Sequence, residues 1–183
     1  LLAAIESPEL FKAVILLDSP LLSWVRSQVL GVFKYLGWVD NITPAKRTRA
    51  RRRHWKSRVD ALQYLKGRVL FEQFTDACLN DYIDFGMTKD KSGYHLRFDV
   101  EVECQIYRTI PHTLVQYKTE QLNVPTVLIY GEKSEVIHAM DRRHMQIKYG
   151  VCSIKTQGTH MFPFEYPKES AALVLDAIAK LNL

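Results

Sequence analysis

A histidine near the C-terminal end of the chain has the setting that points most directly to chemistry. His160 lies in the stretch IKTQGTHMFPFEYP, between a Gly-Thr pair and a cluster of aromatic residues and prolines, just after a short apolar run. An imidazole takes up and releases protons near neutral pH, so a histidine presented at the tip of a strand can serve as a general acid or base. The alternative is that His160 only caps or fills a turn.

Strands and helices alternate in the structure predicted around this histidine. The apolar run in KAVILLD ends at Asp18-Ser19-Pro20, and the apolar run in VPTVLIYG ends at Gly131. The stretch VIHAMDRRHMQIKYG then has helical character and stops at Gly150, a favourable C-cap residue, before the third short strand VCSIKT. Pro167 opens a final amphipathic helix. Buried strands that alternate with helices predict a parallel α/β structure.

The block between the first two strands has a different pattern. It predicts a series of short helices, since Ser57 (with Asp60), Thr75 and Asp99 are suitable N-cap residues ahead of stretches of helical character. KDKSGYHLRF within this block predicts a loop or a small hairpin. The predicted organisation is therefore a core segment at 1–20, a helical insertion at 21–123 and a second core segment at 124–183.

Four stretches in this order resemble the C-terminal part of an α/β-hydrolase-fold serine hydrolase. AAIESPELFKAVILLDSP is similar to the end of the helix after the nucleophile elbow and the sixth strand, and the helical block that follows takes the place of the cap or lid. VPTVLIYGEKSEV resembles the seventh strand with its acid loop, and GTHMFPFEYPKESAALVLDAI the catalytic-histidine loop with the final helix. The resemblance implies parallel strands with flanking helices plus a helical cap insertion.

The resemblance also implies roles for particular residues. The triad of this family runs Ser, then Asp or Glu, then His along the chain, and His160 stands at the histidine position. The acid usually follows the glycine of the seventh strand by three residues, where this chain has Ser134, which has no charge to hold an imidazolium. Asp18 is the favoured substitute because LLDSP ends a buried strand, and Glu135 is the alternative. Either carboxylate has an ordinary alternative explanation, as a turn residue or a solvated loop charge.

The nucleophile that this reading requires is not in the sequence. No G-x-S-x-G occurs among the 183 residues, and the chain starts without methionine in a stretch that reads like the middle of a domain. We therefore expect a fragment of a longer serine hydrolase, with the nucleophilic Ser upstream of Leu1, and expect the fragment alone to be inactive. The expected substrate is a small, mostly apolar molecule with an ester-like bond, contacted by Trp24, Trp55 and Phe162, and no cofactor is implied.

A basic segment supports the alternative hypothesis. Residues 46–58 hold eight Lys or Arg and no acidic residue, whereas the rest of the chain is mildly acidic. If residues 44–58 form a basic helix, the protein is a non-enzymatic, hydrolase-like protein that binds an anionic partner. Charges on every side of such a helix form no groove-facing stripe, so nucleic acid is not the expected partner.

Composition excludes several other classes of protein. The sequence is 47% hydrophobic and 25% charged, which is typical of a globular chain with a core. Three widely spaced cysteines favour reduced thiols in a cytoplasmic protein over disulfides. The spacing of the histidines predicts no metal site, and no apolar run is long enough to span a membrane. The oligomeric state is not indicated by any pattern.

Overall fold

The computed structural model describes residues 1–113 and 122–181. The chain divides into two compact units, one formed by Leu1–Gln28 with His112–Leu183 and the other by Val29–Pro111. In chain order the helices are α1 (Leu2–Glu6), α2 (Trp24–Tyr35), α3 (Val39–Ile42), α4 (Ala45–Arg49), α5 (Arg58–Lys66), α6 (Asp76–Gly86), α7 (Val100–Thr109), α8 (Ala139–Tyr149), α9 (Phe162–Glu165) and α10 (Pro167–Lys180). The strands are β1 (Val14–Leu17), β2 (His54–Trp55), β3 (Met87–Asp90), β4 (Gly93–Leu96), β5 (Thr126–Gly131) and β6 (Cys152–Thr156).

A parallel sheet with the strand order β1-β5-β6 forms the centre of the first unit. Alternate residues of β5 face opposite sides of the sheet, as the period of two requires. Leu128 packs on one side with Leu16 and Met145. Ile129 packs on the other side with Phe162. Helices therefore cover both faces, which explains why the strands read as continuous apolar runs in the sequence.

The local signals around this sheet are confirmed. Helix α8 ends where predicted, since Gly150 adopts the left-handed conformation with φ 66° and its N–H bonds back to the helix. Helix α10 begins at Pro167, whose fixed φ suits the first turn. The α/β class and the parallel strands follow from this sheet, and the fold class predicted from the sequence is confirmed.

The second unit combines short helices with a small antiparallel sheet of order β2-β4-β3. The predicted N-caps are present: Ser57 accepts from the N–H of Asp60, Thr75 from Cys78 and Asp99 from Glu101. The hairpin between β3 and β4 realises the predicted small hairpin. None of these three strands joins the parallel sheet within the described residues. The unit begins inside α2, and the boundaries predicted at 20 and 123 stay a prediction.

The basic segment is not the helix that the sequence suggested over 44–58. Helix α4 ends at Arg49, and His54–Trp55 form strand β2 against His95 and Tyr94. Four of the arginines pair with carboxylates elsewhere in the second unit, namely Arg49 with Glu101, Arg51 with Glu103, Arg52 with Asp60 and Arg58 with Asp84. Strand pairing and these ion pairs outweigh local helix propensity. The segment is folded against its own unit, which weakens the case for an anionic partner.

Candidate active site

Asp18 directly follows β1, and its surroundings are unusual for a charged side chain. It is 0% exposed, and it is the single non-glycine residue with positive φ (47°) in the described chain. Its backbone N–H donates to the carbonyl of Ile129 at 2.8 Å, so the residue after β1 is still tied to β5. A left-handed backbone costs an L-residue of this kind about 1–2 kcal/mol, which the neighbouring contacts must offset. The strand end thus directs a carboxylate into the protein at the edge of the sheet.

Three donors converge on the Asp18 carboxylate. The N–H of Gly131 donates to Oδ1 at 3.0 Å. The hydroxyl of Ser134 contacts Oδ2, and Nδ1 of His160 lies 2.7 Å from the same Oδ2. Because a carboxylate only accepts hydrogen bonds, the proton of a neutral His160 ring is placed on Nδ1 by this contact. A buried carboxylate needs such donors, since it has lost its water.

The turn that carries His160 is held by a second buried carboxylate. Glu165, 9% exposed, accepts from the N–H of Thr159 at 2.9 Å and from the Thr159 hydroxyl. The Thr159 hydroxyl accepts in turn from the N–H of Met161 at 3.1 Å. Gly158 leaves β6 with φ 95°, a value that favours glycine, and a Cβ there would stand 2.5 Å from Glu165 Oε2. The backbone on both sides of His160 is therefore fixed.

The two loops approach each other so closely that Gly131 is required on β5. A Cβ at Gly131 would lie 2.3 Å from the carbonyl oxygen of Thr159. Lys133 donates its N–H to the carbonyl of Gly158 at 2.9 Å, which joins the loop after β5 to the His160 turn. The ends of β1, β5 and β6 thereby contribute Asp18, Gly131 and His160 to one site, as ligand sites at the carboxyl edge of parallel sheets require.

His160 itself remains accessible. Its side chain is 45% exposed, whereas Asp18 is not exposed at all. Nε2 makes no hydrogen bond within residues 1–113 and 122–181, so its lone pair is available when Nδ1 carries the proton. A buried acid on one nitrogen and an accessible lone pair on the other is the arrangement that a general base needs.

The remaining residues predicted for the site lie elsewhere. Glu135 is exposed and makes no hydrogen bond or ion pair with the imidazole in the described structure. Phe162 is 0% exposed and packs with Ile129 in the core. Trp55 is 1% exposed in the second unit, with its ring 5.4 Å from that of Tyr64, so it packs inside that unit. Trp24 is 62% exposed and borders a groove together with Met140.

Two polar residues of the site were missed from the sequence. The sequence indicates only that Ser134 has no charge to serve as the acid, and the structure places its hydroxyl beside the Asp18 carboxylate. Glu165 attracted no notice because nothing local distinguishes a buried brace from a surface charge. Across the described ranges, no group of three or more His, Cys, Asp or Glu side chains is arranged to hold a metal ion. The same residues contain no helix long and apolar enough to cross a membrane.

Comparison with solved structures shows which fold this arrangement belongs to. The crystal structure of E-2-(acetamidomethylene)succinate hydrolase matches 97% of this chain with a TM-score of 0.72 and 14% identity. A peroxisomal α/β-hydrolase of Saccharomyces cerevisiae matches 97% with a TM-score of 0.67 and 16% identity. An esterase of M. tuberculosis matches 98% with a TM-score of 0.66 and 15% identity. The chain has the fold of the C-terminal part of an α/β-hydrolase.

The matched chains are longer than this one. The chain spans 61% of the succinate-derivative hydrolase, 49% of the yeast protein and 57% of the esterase. Neither protein-family models nor curated proteins give a match to the sequence.

Proposed function

We propose that this chain supplies the acid and base of an α/β-hydrolase that cleaves an ester-like bond in a small, mostly apolar substrate. The observation that carries the proposal is the 2.7 Å contact between His160 Nδ1 and the fully buried Asp18 carboxylate. Names among the structurally similar proteins point the same way, since they include an esterase and a thioesterase domain. In this proposal the nucleophilic serine comes from residues that precede Leu1.

The proposed reaction assigns each group one task. Nε2 of His160 takes the proton from the serine hydroxyl while the oxygen attacks the substrate carbonyl, and the resulting imidazolium later protonates the leaving group. Asp18 keeps the ring in the required tautomer and stabilises the imidazolium. Water then repeats the attack on the acyl-enzyme, again deprotonated by His160. The oxyanion donors, like the nucleophile, belong to the preceding part of the enzyme.

Hydrolysis of a p-nitrophenyl ester tests the proposal. The 183-residue chain alone should be inert, because a histidine–carboxylate pair provides a base but no positioned nucleophile. A longer chain with a strand and G-x-S-x-G ahead of Leu1 should hydrolyse the ester, and His160→Ala in that chain should lower kcat by several orders of magnitude.

His95→Ala is the matched control, since His95 lies on the hairpin of the second unit. It should leave kcat near that of the parent. Near-normal turnover in the longer chain with His160→Ala would contradict the proposal and make His160 a turn residue.

A further inference from the structure

The hydrogen bonds around Ser134 fix the direction of its single hydroxyl proton. The N–H groups of Val136 and Ile137 lie 3.2 Å and 3.4 Å from Ser134 Oγ, and both can only donate. Oγ therefore uses its lone pairs as acceptors for the backbone. Its proton is left to donate to Oδ2 of Asp18, the same oxygen that accepts from His160.

The loop that presents Ser134 is anchored at both ends. The N–H of Ser134 donates to the carbonyl of Gly131 at 3.0 Å, which closes a turn directly after β5. On the other side, Arg26 donates to the carbonyl of Val136 at 3.1 Å and also contacts the buried carboxylate of Asp141. The Ser134 hydroxyl thus comes from a segment that is hydrogen-bonded at both ends.

From this geometry we propose that Ser134 is a positioning residue of the hydrolase, which holds the Asp18 carboxylate in the orientation that accepts the Nδ1 proton of His160. The inference rests on the proposed function of the Asp18–His160 pair. Asp18 follows β1 with a positive φ, which sets the direction of its Cα–Cβ bond, whereas the rotation of the carboxylate about its side-chain bonds is left to its hydrogen-bond partners. Gly131 fixes Oδ1 and Ser134 fixes Oδ2, which leaves one remaining direction on Oδ2 for the imidazole.

This assignment explains why an uncharged serine is suited to position 134. A second carboxylate at 134 would stand against Asp18 and repel it, whereas a hydroxyl donates to it. An alanine would remove the donor to Asp18 and also the acceptor for two backbone N–H groups. A threonine retains the hydroxyl and therefore both functions.

The proton on His160 Nδ1 gives a readout that does not depend on activity. NMR of the isotope-labelled 183-residue chain should show this proton as a slowly exchanging signal, assigned by its loss in His160→Gln. In Ser134→Ala the signal should exchange faster by about tenfold or disappear, because an unconstrained carboxylate holds the proton less firmly. Ser134→Thr should restore it. Ser153→Ala, at an exposed position on β6, should leave it unchanged.

Kinetics in an active longer chain provides the second readout. Ser134→Ala should lower kcat by about 10- to 100-fold with KM within about twofold, since a misplaced base affects the chemical step and not substrate binding. Ser134→Thr should recover most of kcat. A role in folding alone would instead reduce the folded fraction and leave the kcat of the folded enzyme unaffected.

The two arms separate the inference from the proposed function. If none of the chains extended ahead of Leu1 is active, the hydrolase proposal fails. The Nδ1 signal still decides whether Ser134 orients the Asp18–His160 pair. If the signal and kcat of Ser134→Ala both equal those of the parent, the inference is overturned. Should Ser134→Ala fail to fold, Ser134→Cys fills the same space with a poor donor and gives the same comparison.

Discussion

Two aspartates of the first unit are completely buried, and their surroundings differ in the kind of partner that offsets the charge. Asp18 at the end of β1 meets a backbone N–H, a hydroxyl and an imidazole. Asp141 in the first turn of α8 accepts from the N–H of Ser23 at 2.8 Å and of His138 at 3.2 Å, and pairs with Arg26. Both are 0% exposed.

The two carboxylates differ in whether the charge of their partner depends on pH. A guanidinium is a permanent cation, so the Asp141–Arg26 pair is compensated at every accessible pH and ties α2 to α8. The imidazole on Asp18 is charged only when it is protonated, so that carboxylate is fully compensated only when His160 holds an extra proton. The Asp141–Arg26 pair holds the structure, whereas in the proposed function the Asp18–His160 pair moves a proton.

The largest effect is expected for Asp18→Asn. The amide has nearly the same shape, so stability should change little, but it presents N–H to the ring and favours the wrong tautomer. In an active longer chain we expect kcat to fall by about 10³- to 10⁴-fold. Steady-state kinetics with an ester substrate measures this, and Glu135→Gln, which alters the alternative acid, should stay within about twofold. A large effect of Glu135→Gln with a small one of Asp18→Asn would reverse the assignment of the acid.

The next largest effect concerns the second carboxylate. Arg26→Met should destabilise the fold by about 3 kcal/mol, since it leaves the buried Asp141 charge without its cation. Urea unfolding at pH 7 measures the loss. Arg143 is an exposed residue of α8, the helix that carries Asp141, and Arg143→Met should change the free energy of unfolding by less than about 0.5 kcal/mol. Equal values for the two variants would show that the Asp141 pair is dispensable for stability.

A pair of glycines tests how firmly the His160 turn is built. Gly158→Ala should cost about 2–3 kcal/mol, because the new methyl meets Glu165 as well as an unfavourable φ. Gly150→Ala should cost only about 1 kcal/mol, since φ is also positive (66°) but nothing lies within 4 Å of the added Cβ. Thermal unfolding of both variants measures the difference. Equal losses of stability in the two variants would mean that the Glu165 side chain moves aside for the new methyl at little cost.

Local signals predicted much of this region, and long-range contacts account for what they missed. The end of α8 at Gly150 and the start of α10 at Pro167 depend on backbone preferences of single residues, which a sequence displays. The pairing of Asp18 with His160 was anticipated because both follow strands of one parallel sheet. The roles of Ser134 and Glu165 depend on which side chains face each other across loops, and no local pattern encodes that.

In the second unit, long-range contacts also override a prediction made from local sequence. Residues 50–56 have no proline or glycine to interrupt a helix, and the sequence therefore predicts a helix there. Pairing of His54 and Trp55 with β4, and the ion pair of Arg51 with Glu103, decide otherwise. Partners that stand many residues away in the chain therefore set the local conformation.

The smallest expected effect comes from the histidine beside Asp141. Burial, and then the charge of Lys148, lower the pKa of His144, while the charge of Asp141 acts to raise it. The unfolded chain therefore binds more protons at this site than the folded one, and stability declines as the pH falls through about 6.5 towards the lower folded pKa.

His144→Phe keeps a ring against Tyr149 and removes the titrating group, so the loss of stability between pH 8 and pH 5 should be smaller than in the parent. Urea unfolding at the two pH values measures it, with Gln146→Leu, exposed and without charge, expected to follow the parent. His160 makes a hydrogen bond to the Asp18 carboxylate, whereas His144 lies near Asp141 without a hydrogen bond to it in the described structure. If the pH dependence of stability were unchanged in His144→Phe, the charge of Asp141 would offset the effect of burial on the pKa of His144. Asp141 would then resemble Asp18 in supporting a charged histidine.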